Sequence, residues 1–135
     1  MCIRDSFIAV PKGKTQSTES PVQLQDLYRT LSDLCGLPAP PASIEGRSIA
    51  PLIRSPQRKW DYPAYSTMEM QAVHALSVRK NNWHFVEYDE GRNGEMLFDI
   101  EKDPHELKNL ASDPTYSKVV AELRTLVRKM PTENK

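Results

Sequence analysis

Four short segments between residues 62 and 100 have the residue pattern of β-strands, and turn residues separate them. The predicted strands are residues 62–67, 75–79, 83–88 and 96–100. Lys80-Asn81-Asn82 predicts a tight turn because asparagine tolerates left-handed backbone angles, and Gly91 and Gly94 predict another. Consecutive strands on short connections form an antiparallel meander. The remaining connection, residues 68–74, is predicted to be an exposed loop.

Segments with helical spacing lie on both sides of these strands. Ser20, Pro21 and Gln23 form a Ser-x-x-Gln capping box, which predicts a helix from Pro21 to the glycine at position 36. Its apolar face is predicted to be buried, with Cys35 as a structural thiol rather than a nucleophile. A final helix with apolar residues between 116 and 130 is predicted to pack on the sheet. The fold class is α+β. The members of the first apolar face are Leu24, Leu27, Tyr28, Leu31, Leu34 and Cys35.

Shorter features complete the predicted architecture. Residues 7–10 are apolar and predict a buried strand. Residues 44–53 predict an irregular stretch on the surface. Asp103-Pro104 and Asp113-Pro114 each predict a capped helical turn.

Composition and spacing argue against several classes of function. The chain has 18 Lys and Arg against 18 Asp and Glu, so its balanced charge gives no reason to expect nucleic acid or an anionic membrane as a partner. It has no apolar run long enough to span a membrane. Two cysteines and three separated histidines predict neither a disulfide framework nor a zinc site. Residues 89–100 fail the spacing of a calcium loop. Among these residues only His74 is a candidate for function, because its predicted loop is a common place for functional residues.

Four phrases, in order, resemble the C-terminal region of sulfatases, which belong to the alkaline-phosphatase-like superfamily. The similarity is greatest to iduronate-2-sulfatase-like and choline-sulfatase-like members. The most specific phrase, residues 95–111, is similar to the family pattern E-L-Y-D-L-x-x-D-P-x-E-x-x-N-L-A. One departure is Arg29, which stands where the family usually has proline. The other phrases are residues 22–38, residues 45–53, and residues 63–67 with 77–79 and 83–88.

The resemblance implies a division of the chain. Residues 7–60 correspond to the last strand and helix of the α/β main domain of a sulfatase, followed by a linker. Residues 61–135 correspond to a small C-terminal subdomain of four antiparallel strands with a packed C-terminal helix. Residues 1–6 do not fit the family and are predicted to be an artefact of sequence assembly. The chain is therefore predicted to be an N-terminally truncated fragment.

The resemblance also implies an activity for the parent protein, namely hydrolysis of sulfate esters in a sulfated small molecule or glycan. Sulfatases use a formylglycine made from a Cys-x-Pro-Ser-Arg or Ser-x-Pro-Ser-Arg motif, together with a calcium ion. Neither motif occurs here, so the fragment alone is predicted to be inactive, with no catalytic and no metal-binding residue. Glu69 and His74 are the candidates for substrate binding. The parent is expected to be periplasmic or extracellular.

Two alternatives remain open from the sequence. One is the C-terminal part of a related phosphonate or phosphate monoester hydrolase, because these enzymes share the architecture. The other is a stand-alone interaction domain without catalysis. An exposed apolar patch on the first helix would argue against the second alternative.

Overall fold

The computed structural model describes residues 16–70 and 73–130. The four strands β1 to β4 form one sheet in sequence order, with antiparallel pairing throughout, which confirms the predicted meander. The residues predicted as an initial strand, 7–10, and those predicted as an artefact, 1–6, lie outside the described ranges. The elements are α1 (Asp26–Cys35), α2 (Ala50–Arg54), β1 (Ala64–Met70), β2 (Val73–Lys80), β3 (Trp83–Tyr88), β4 (Glu95–Asp99) and α3 (Ser117–Val127).

The main core lies between one face of the sheet and α3. Side chains alternate along a strand, so residues two apart share a face. Val78, Phe85 and Leu97 are fully buried on neighbouring strands and lie in one row across the sheet. From α3, the core receives Val120, Leu123 and Val127. The predicted packing of the last helix on the sheet is therefore confirmed, and each such buried side chain contributes about 1.5–3 kcal/mol.

The predicted loop at residues 68–74 is wrong, because both strands continue into it. In the register, Glu69 pairs with His74 and Met70 pairs with Val73. Glu69 and Met68 are exposed at this end of the sheet, so the apolar alternation that identifies a strand is weak there. Glu69 and His74 consequently lie on paired strands and not in a loop.

The predicted start of the first helix at Pro21 is also wrong, because α1 begins at Asp26. The side chain of Gln23 accepts a hydrogen bond from the backbone N–H of Tyr65 at 2.8 Å, so it is not free to complete a capping box. The backbone N–H of Gln23 donates instead to Asp26 Oδ2 at 2.8 Å. A long-range contact to β1 has replaced the local capping interaction. The predicted end at Gly36 is confirmed by its left-handed φ of 64°.

The apolar face of α1 is exposed, which contradicts its predicted burial. Leu24, Tyr28 and Leu31 are 80%, 55% and 51% exposed, and Leu34 is 38% exposed. Cys35 is exposed as well, so its prediction as a buried thiol is wrong for this chain. The opposite side of α1 is the buried one, through polar residues that contact the segment before α2.

The segment predicted to be irregular, residues 44–53, includes the short helix α2, with Pro51 in its first turn. Ala50 and Leu52 of this helix are buried. Asp113 accepts the N–H of Thr115 at 2.9 Å and thereby caps a short 3-10 turn, as predicted. At Asp103, the chain makes a hydrogen-bonded turn rather than the predicted helical one, with the N–H of Glu106 donated to the carbonyl of Asp103.

Candidate functional site

The two predicted substrate-binding residues lie directly opposite each other near the end of the β1–β2 hairpin. Glu69 on β1 pairs with His74 on β2, and Asp89, which directly follows β3, hydrogen-bonds the backbone of His74. Directly opposed residues project from the same face of a sheet. His74, Leu76 and Val78 are each two residues apart on β2 and so share a face of the sheet. Leu76 and Val78 belong to the core that α3 covers, so His74 projects from that same face. Glu69 is exposed and His74 is half-buried, so both side chains are accessible.

Asp89 fixes the backbone of His74. Its Oδ1 accepts the backbone N–H of His74 at 3.0 Å. The N–H of His74 therefore points towards Asp89 and away from β1. In an antiparallel sheet, opposed residues that are not joined by backbone hydrogen bonds have their side chains closest together. Glu69 and His74 form such a pair. The hydrogen bond from His74, followed by one from the amide of Asn93, lowers the pKa of Asp89, which keeps this carboxylate ionised.

The loop that carries Asp89 has an unusual backbone. Three consecutive residues have left-handed φ angles, with values of 47° for Asp89, 58° for Glu90 and 86° for Gly91. Such conformations are costly for residues other than glycine and persist only where the surroundings impose them. Here the N–H of Tyr88 donates to Gly94 O at 3.0 Å, which closes the loop. The predicted turn at residues 89–95 is thus present, and it keeps Asp89 at the end of the hairpin.

Two ion pairs join the sheet to the C-terminal helical segment. Their carboxylates, on Glu87 of β3 and Glu95 of β4, lie directly opposite each other in the register. Arg124 binds the carboxylate of Glu95 through two hydrogen bonds of 2.6 Å each. Arg128 donates to Oε1 of Glu87 at 2.6 Å, and Glu87 is 1% exposed. The hydrogen bonds from Arg124 lower the pKa of Glu95. These pairs were not predicted from the sequence. The available signal was the position of Glu87, two residues from Phe85 on the buried face of the same strand.

The arrangement offers hydrogen-bonding groups at the end of the hairpin. Glu69 offers carboxylate oxygens and His74 offers ring nitrogens, and the carboxylate of Asp89 holds the backbone of His74. These are hydrogen-bonding partners for hydroxyl groups. Whether Glu69 and His74 contact a substrate stays a prediction.

The other two histidines lie elsewhere. His84 is on β3, with Nδ1 located 3.2 Å from Oε1 of Glu106. Burial lowers the pKa of His84, an effect that Glu106 partly offsets. By alternation His84 belongs to the face of the sheet opposite α3, away from His74. His105 is exposed in the turn after β4.

Within residues 16–70 and 73–130, no three His, Cys, Asp or Glu side chains are grouped closely enough to hold a metal ion. Among the helices of the described residues, none has the length and apolar character needed to cross a membrane.

Comparison with known proteins gives relatives over most of the chain. It is 42% identical to the Delta 4,5-hexuronate-2-O-sulfatase of Bacteroides thetaiotaomicron over 115 residues, which are 82% of this chain and 24% of the relative. It is 33% identical to arylsulfatase K of Danio rerio over 80% of this chain and 21% of the relative. A crystal structure of a provisionally assigned sulfatase from Bacteroides thetaiotaomicron matches with a TM-score of 0.64 and 42% identity, over 76% of this chain and 23% of that one.

A more distant structure shares the fold alone. The phosphonate monoester hydrolase of Agrobacterium radiobacter matches with a TM-score of 0.52 and 22% identity, over 76% of this chain and 24% of that one. The chain spans about a quarter of the length of the curated relative with which it shares 42% identity. The sequence model of the family described as N-sulphoglucosamine sulphohydrolase, C-terminal, matches residues 6–133. The chain therefore belongs to the sulfatase family, as a member of its N-sulphoglucosamine sulphohydrolase C-terminal group, and it corresponds to the C-terminal part of such proteins.

Proposed function

We propose that this chain is part of a sulfatase that hydrolyses a sulfate ester on a sulfated carbohydrate. The observation that carries the proposal is the 42% identity to the hexuronate-2-O-sulfatase over 115 residues. We take the 2-O-sulfate of a Δ4,5-unsaturated hexuronate as the first substrate to test, because that is the group named for this relative.

The sulfate chemistry belongs, in this proposal, to regions of the complete protein outside this chain. The sequence contains no Cys-x-Pro-Ser-Arg or Ser-x-Pro-Ser-Arg motif from which a formylglycine could form. The described residues hold no group of three His, Cys, Asp or Glu side chains that could bind a metal ion. We therefore assign the formylglycine and the calcium ion to the rest of the complete protein and assign no catalytic step to residues of this chain.

The exposed apolar face of α1 supports a larger protein over a stand-alone domain. Tyr28 and Leu31 on α1, Leu24 just before it and Leu37 just after it are all more than half exposed, at 55%, 51%, 80% and 59%. A group of large exposed apolar side chains on one short segment favours a contact surface. In the proposal, the main domain of the sulfatase covers this face.

The hairpin end that carries Glu69 and His74 is proposed to form one wall of the substrate pocket. Paired strands hold the backbone of both residues, and Asp89 holds the N–H of His74 from the other side. Side chains on paired strands are positioned more tightly than side chains on loops. Glu69 and His74 would then hydrogen-bond sugar hydroxyls next to the sulfated carbon.

The test uses the complete gene product, matured to the formylglycine form, with a Δ4,5-unsaturated 2-O-sulfated disaccharide. Release of sulfate is expected, and His74→Ala and Glu69→Gln are expected to raise KM about tenfold, as for the loss of one hydrogen bond to a polar group. His105→Ala and Glu101→Gln are matched controls, because both residues are exposed and lie beyond β4.

Three outcomes would decide against parts of the proposal. Absence of sulfate release from any sulfated saccharide would overturn the activity. Equal effects of the hairpin variants and their controls would remove Glu69 and His74 from the pocket. Faster turnover of a phenyl phosphonate monoester than of an aryl sulfate would favour the phosphonate hydrolase, whose fold this chain shares.

A further inference from the structure

A cleft lined by basic and aromatic side chains lies at the opposite end of β1 from the hairpin. It has a volume of about 640 Å³ and lies between the segment that enters α2 and the segment that enters β1. Residues 64–70 of β1 separate it from the Glu69–His74 end, a distance of about 20 Å at roughly 3.3 Å per residue. The two sites are therefore distinct. The residues of this cleft on which the argument depends are Arg47, Arg58, Lys59, Trp60 and Tyr62.

The cleft concentrates positive charge in a chain whose formal net charge is zero. Arg47, Arg58 and Lys59 are exposed, and none of them forms an ion pair with another described residue. The carboxylate that lines the cleft, Asp61, lies 3.9 Å from Lys80, which partly neutralises it. Three cations against one carboxylate give this surface an excess of positive charge, which attracts an anionic ligand.

Aromatic rings form the wall of the cleft and are held in place. The guanidinium carbon of Arg47 lies 3.4 Å from the centre of the Tyr62 ring. Trp60 contacts Tyr62 edge-on, with ring centres 4.9 Å apart, and its indole N–H donates to the carbonyl of Pro21 at 3.2 Å. Tyr62 remains 43% exposed. The cleft thus has a partly exposed aromatic wall, with the guanidinium of Arg47 stacked over the face of Tyr62.

This combination matches a sugar ring that carries an oxyanion. The apolar face of a pyranose can pack on an aromatic ring, because such pockets are lined by aromatic side chains with a few placed polar groups. Arginine binds planar or tetrahedral oxyanions through two parallel hydrogen bonds. Lysine adds a point charge for a second anionic group.

We propose that this cleft binds a sulfated sugar unit, as a second glycan-binding site separate from the hairpin. The choice of a sulfated ligand rests on the proposed function, whereas the cationic and aromatic character of the cleft does not. A second site of this kind would hold a more distant unit of the same sulfated polysaccharide chain.

The test measures binding without turnover, so it is independent of sulfatase activity. The full 135-residue chain, labelled with ¹⁵N, is titrated with a heparin-derived tetrasaccharide, a hyaluronan tetrasaccharide and sodium sulfate. The indole N–H signal of Trp60 reports on the cleft, and that of Trp83, which packs on Tyr116 in the core, serves as the internal reference. The heparin tetrasaccharide is expected to shift the Trp60 signal and to leave the Trp83 signal unchanged.

Substitutions separate specific recognition from general charge attraction. Arg47→Gln and Arg58→Gln are each expected to weaken binding at least tenfold, as is Tyr62→Ala, while Tyr62→Phe keeps the ring and the affinity. The contacts between Arg47 and Asp26 use the backbone N–H, so Arg47→Gln retains them. Lys118→Gln removes an exposed cation from α3 and is the matched control, with an expected change below twofold.

The proposal is overturned by absence of binding, or by equal weakening in Lys118→Gln and Arg47→Gln. It is also overturned if hyaluronan, which lacks sulfate, binds as tightly as the heparin tetrasaccharide. Saturation by inorganic sulfate alone at the same concentration would reduce the site to an anion site and remove the sugar from the proposal. If the complete protein releases no sulfate but this chain binds the tetrasaccharide, the proposed activity is wrong and the proposed binding site is retained.

Discussion

The carboxylate of Asp26 joins α1 to the segment that enters α2, through a hydrogen bond of 2.7 Å from the backbone N–H of Arg47 to Oδ1. Its other oxygen accepts the N–H of Gln23 at 2.8 Å. One turn later, the hydroxyl of Thr30 accepts the N–H of Ile49 at 2.9 Å. Asp26 is 4% exposed and Thr30 is not exposed at all, so water cannot replace these contacts. Two of the phrases that resemble the sulfatases, residues 22–38 and 45–53, therefore form one interface.

Asp26→Ala is expected to lower the free energy of unfolding by about 2–3 kcal/mol, because it leaves two backbone donors without their charged acceptor. Urea denaturation measures this loss, and the slope of the unfolding free energy against urea concentration is expected to stay unchanged. Asp33→Ala is the matched control, since Asp33 is exposed on the same helix and is expected to change stability by less than about 0.5 kcal/mol. Equal losses in the two variants would contradict the role of Asp26.

Gly46→Ala is expected to destabilise the protein more than Gly94→Ala. Both glycines have left-handed angles, with φ of 93° and 100°, so both substitutions strain the backbone. Only at Gly46 would the added carbon collide with a neighbour, the carbonyl oxygen of Gln25 at 2.3 Å, whereas nothing lies within 4 Å at Gly94. The collision should add about 1–3 kcal/mol. Thermal unfolding measures the melting temperature of each variant. Similar melting temperatures would contradict the prediction and would show that the segment at Gly46 can move away from Gln25.

Asn109→Ala is expected to loosen the outer edge of β4. The side-chain oxygen of Asn109 accepts the N–H groups of Leu97 and Ala111 at 3.0 and 2.9 Å, and its amide donates to Glu95 O at 3.0 Å. Loss of these contacts should cost about 1–3 kcal/mol. Hydrogen exchange should accelerate at the Leu97 and Ala111 amides. Leu107→Ala, at a side chain that is 85% exposed, should leave both rates unchanged.

Stability is expected to fall as the pH drops below about 6.5, the ordinary pKa of histidine, because burial lowers the pKa of His84 in the folded state. The folded protein then binds fewer protons than the unfolded chain, so this contribution is present above the unfolded pKa and is lost as the pH falls towards the folded one. Glu106 opposes the shift and Arg79 reinforces it. His84→Gln should flatten the curve of unfolding free energy between pH 7 and 5, whereas exposed His105→Gln should not.

A second loss of stability is expected in more acidic solution. The hydrogen bonds from Arg124 lower the pKa of Glu95, so its contribution is present above the ordinary pKa of glutamate, about 4.3, and is lost as the pH falls through the lowered value. Glu95→Gln should reduce the slope of unfolding free energy against pH below about 4.3. Glu101→Gln, at an exposed position, is the control, and the same reduction there would remove Glu95 as the cause.

The meander was predictable because the residues that specify each strand and turn are close together in the sequence. β3 begins and ends as predicted, since the apolar residues of this strand alternate and asparagine and glycine residues mark the turns on either side. The hairpin end was not predictable in the same way, because exposed residues such as Met68 and Glu69 carry no alternation of burial. Glu69 and His74 were identified as candidates, but their direct pairing came from the register and not from spacing.

The amino-acid sequence by itself determined the family, the four-stranded meander and the packing of α3 on it, because periodicity, turn residues and four ordered phrases are all properties of the chain. Only the tertiary structure decided what the polar residues do. It brought Arg124 to Glu95 and Arg128 to Glu87 across 29 and 41 residues of sequence, and it placed the N–H of Tyr65 at Gln23, which moved the start of α1 to Asp26. The physical reason is that a hydrogen bond between distant segments depends on the position of both backbones, which no local pattern records.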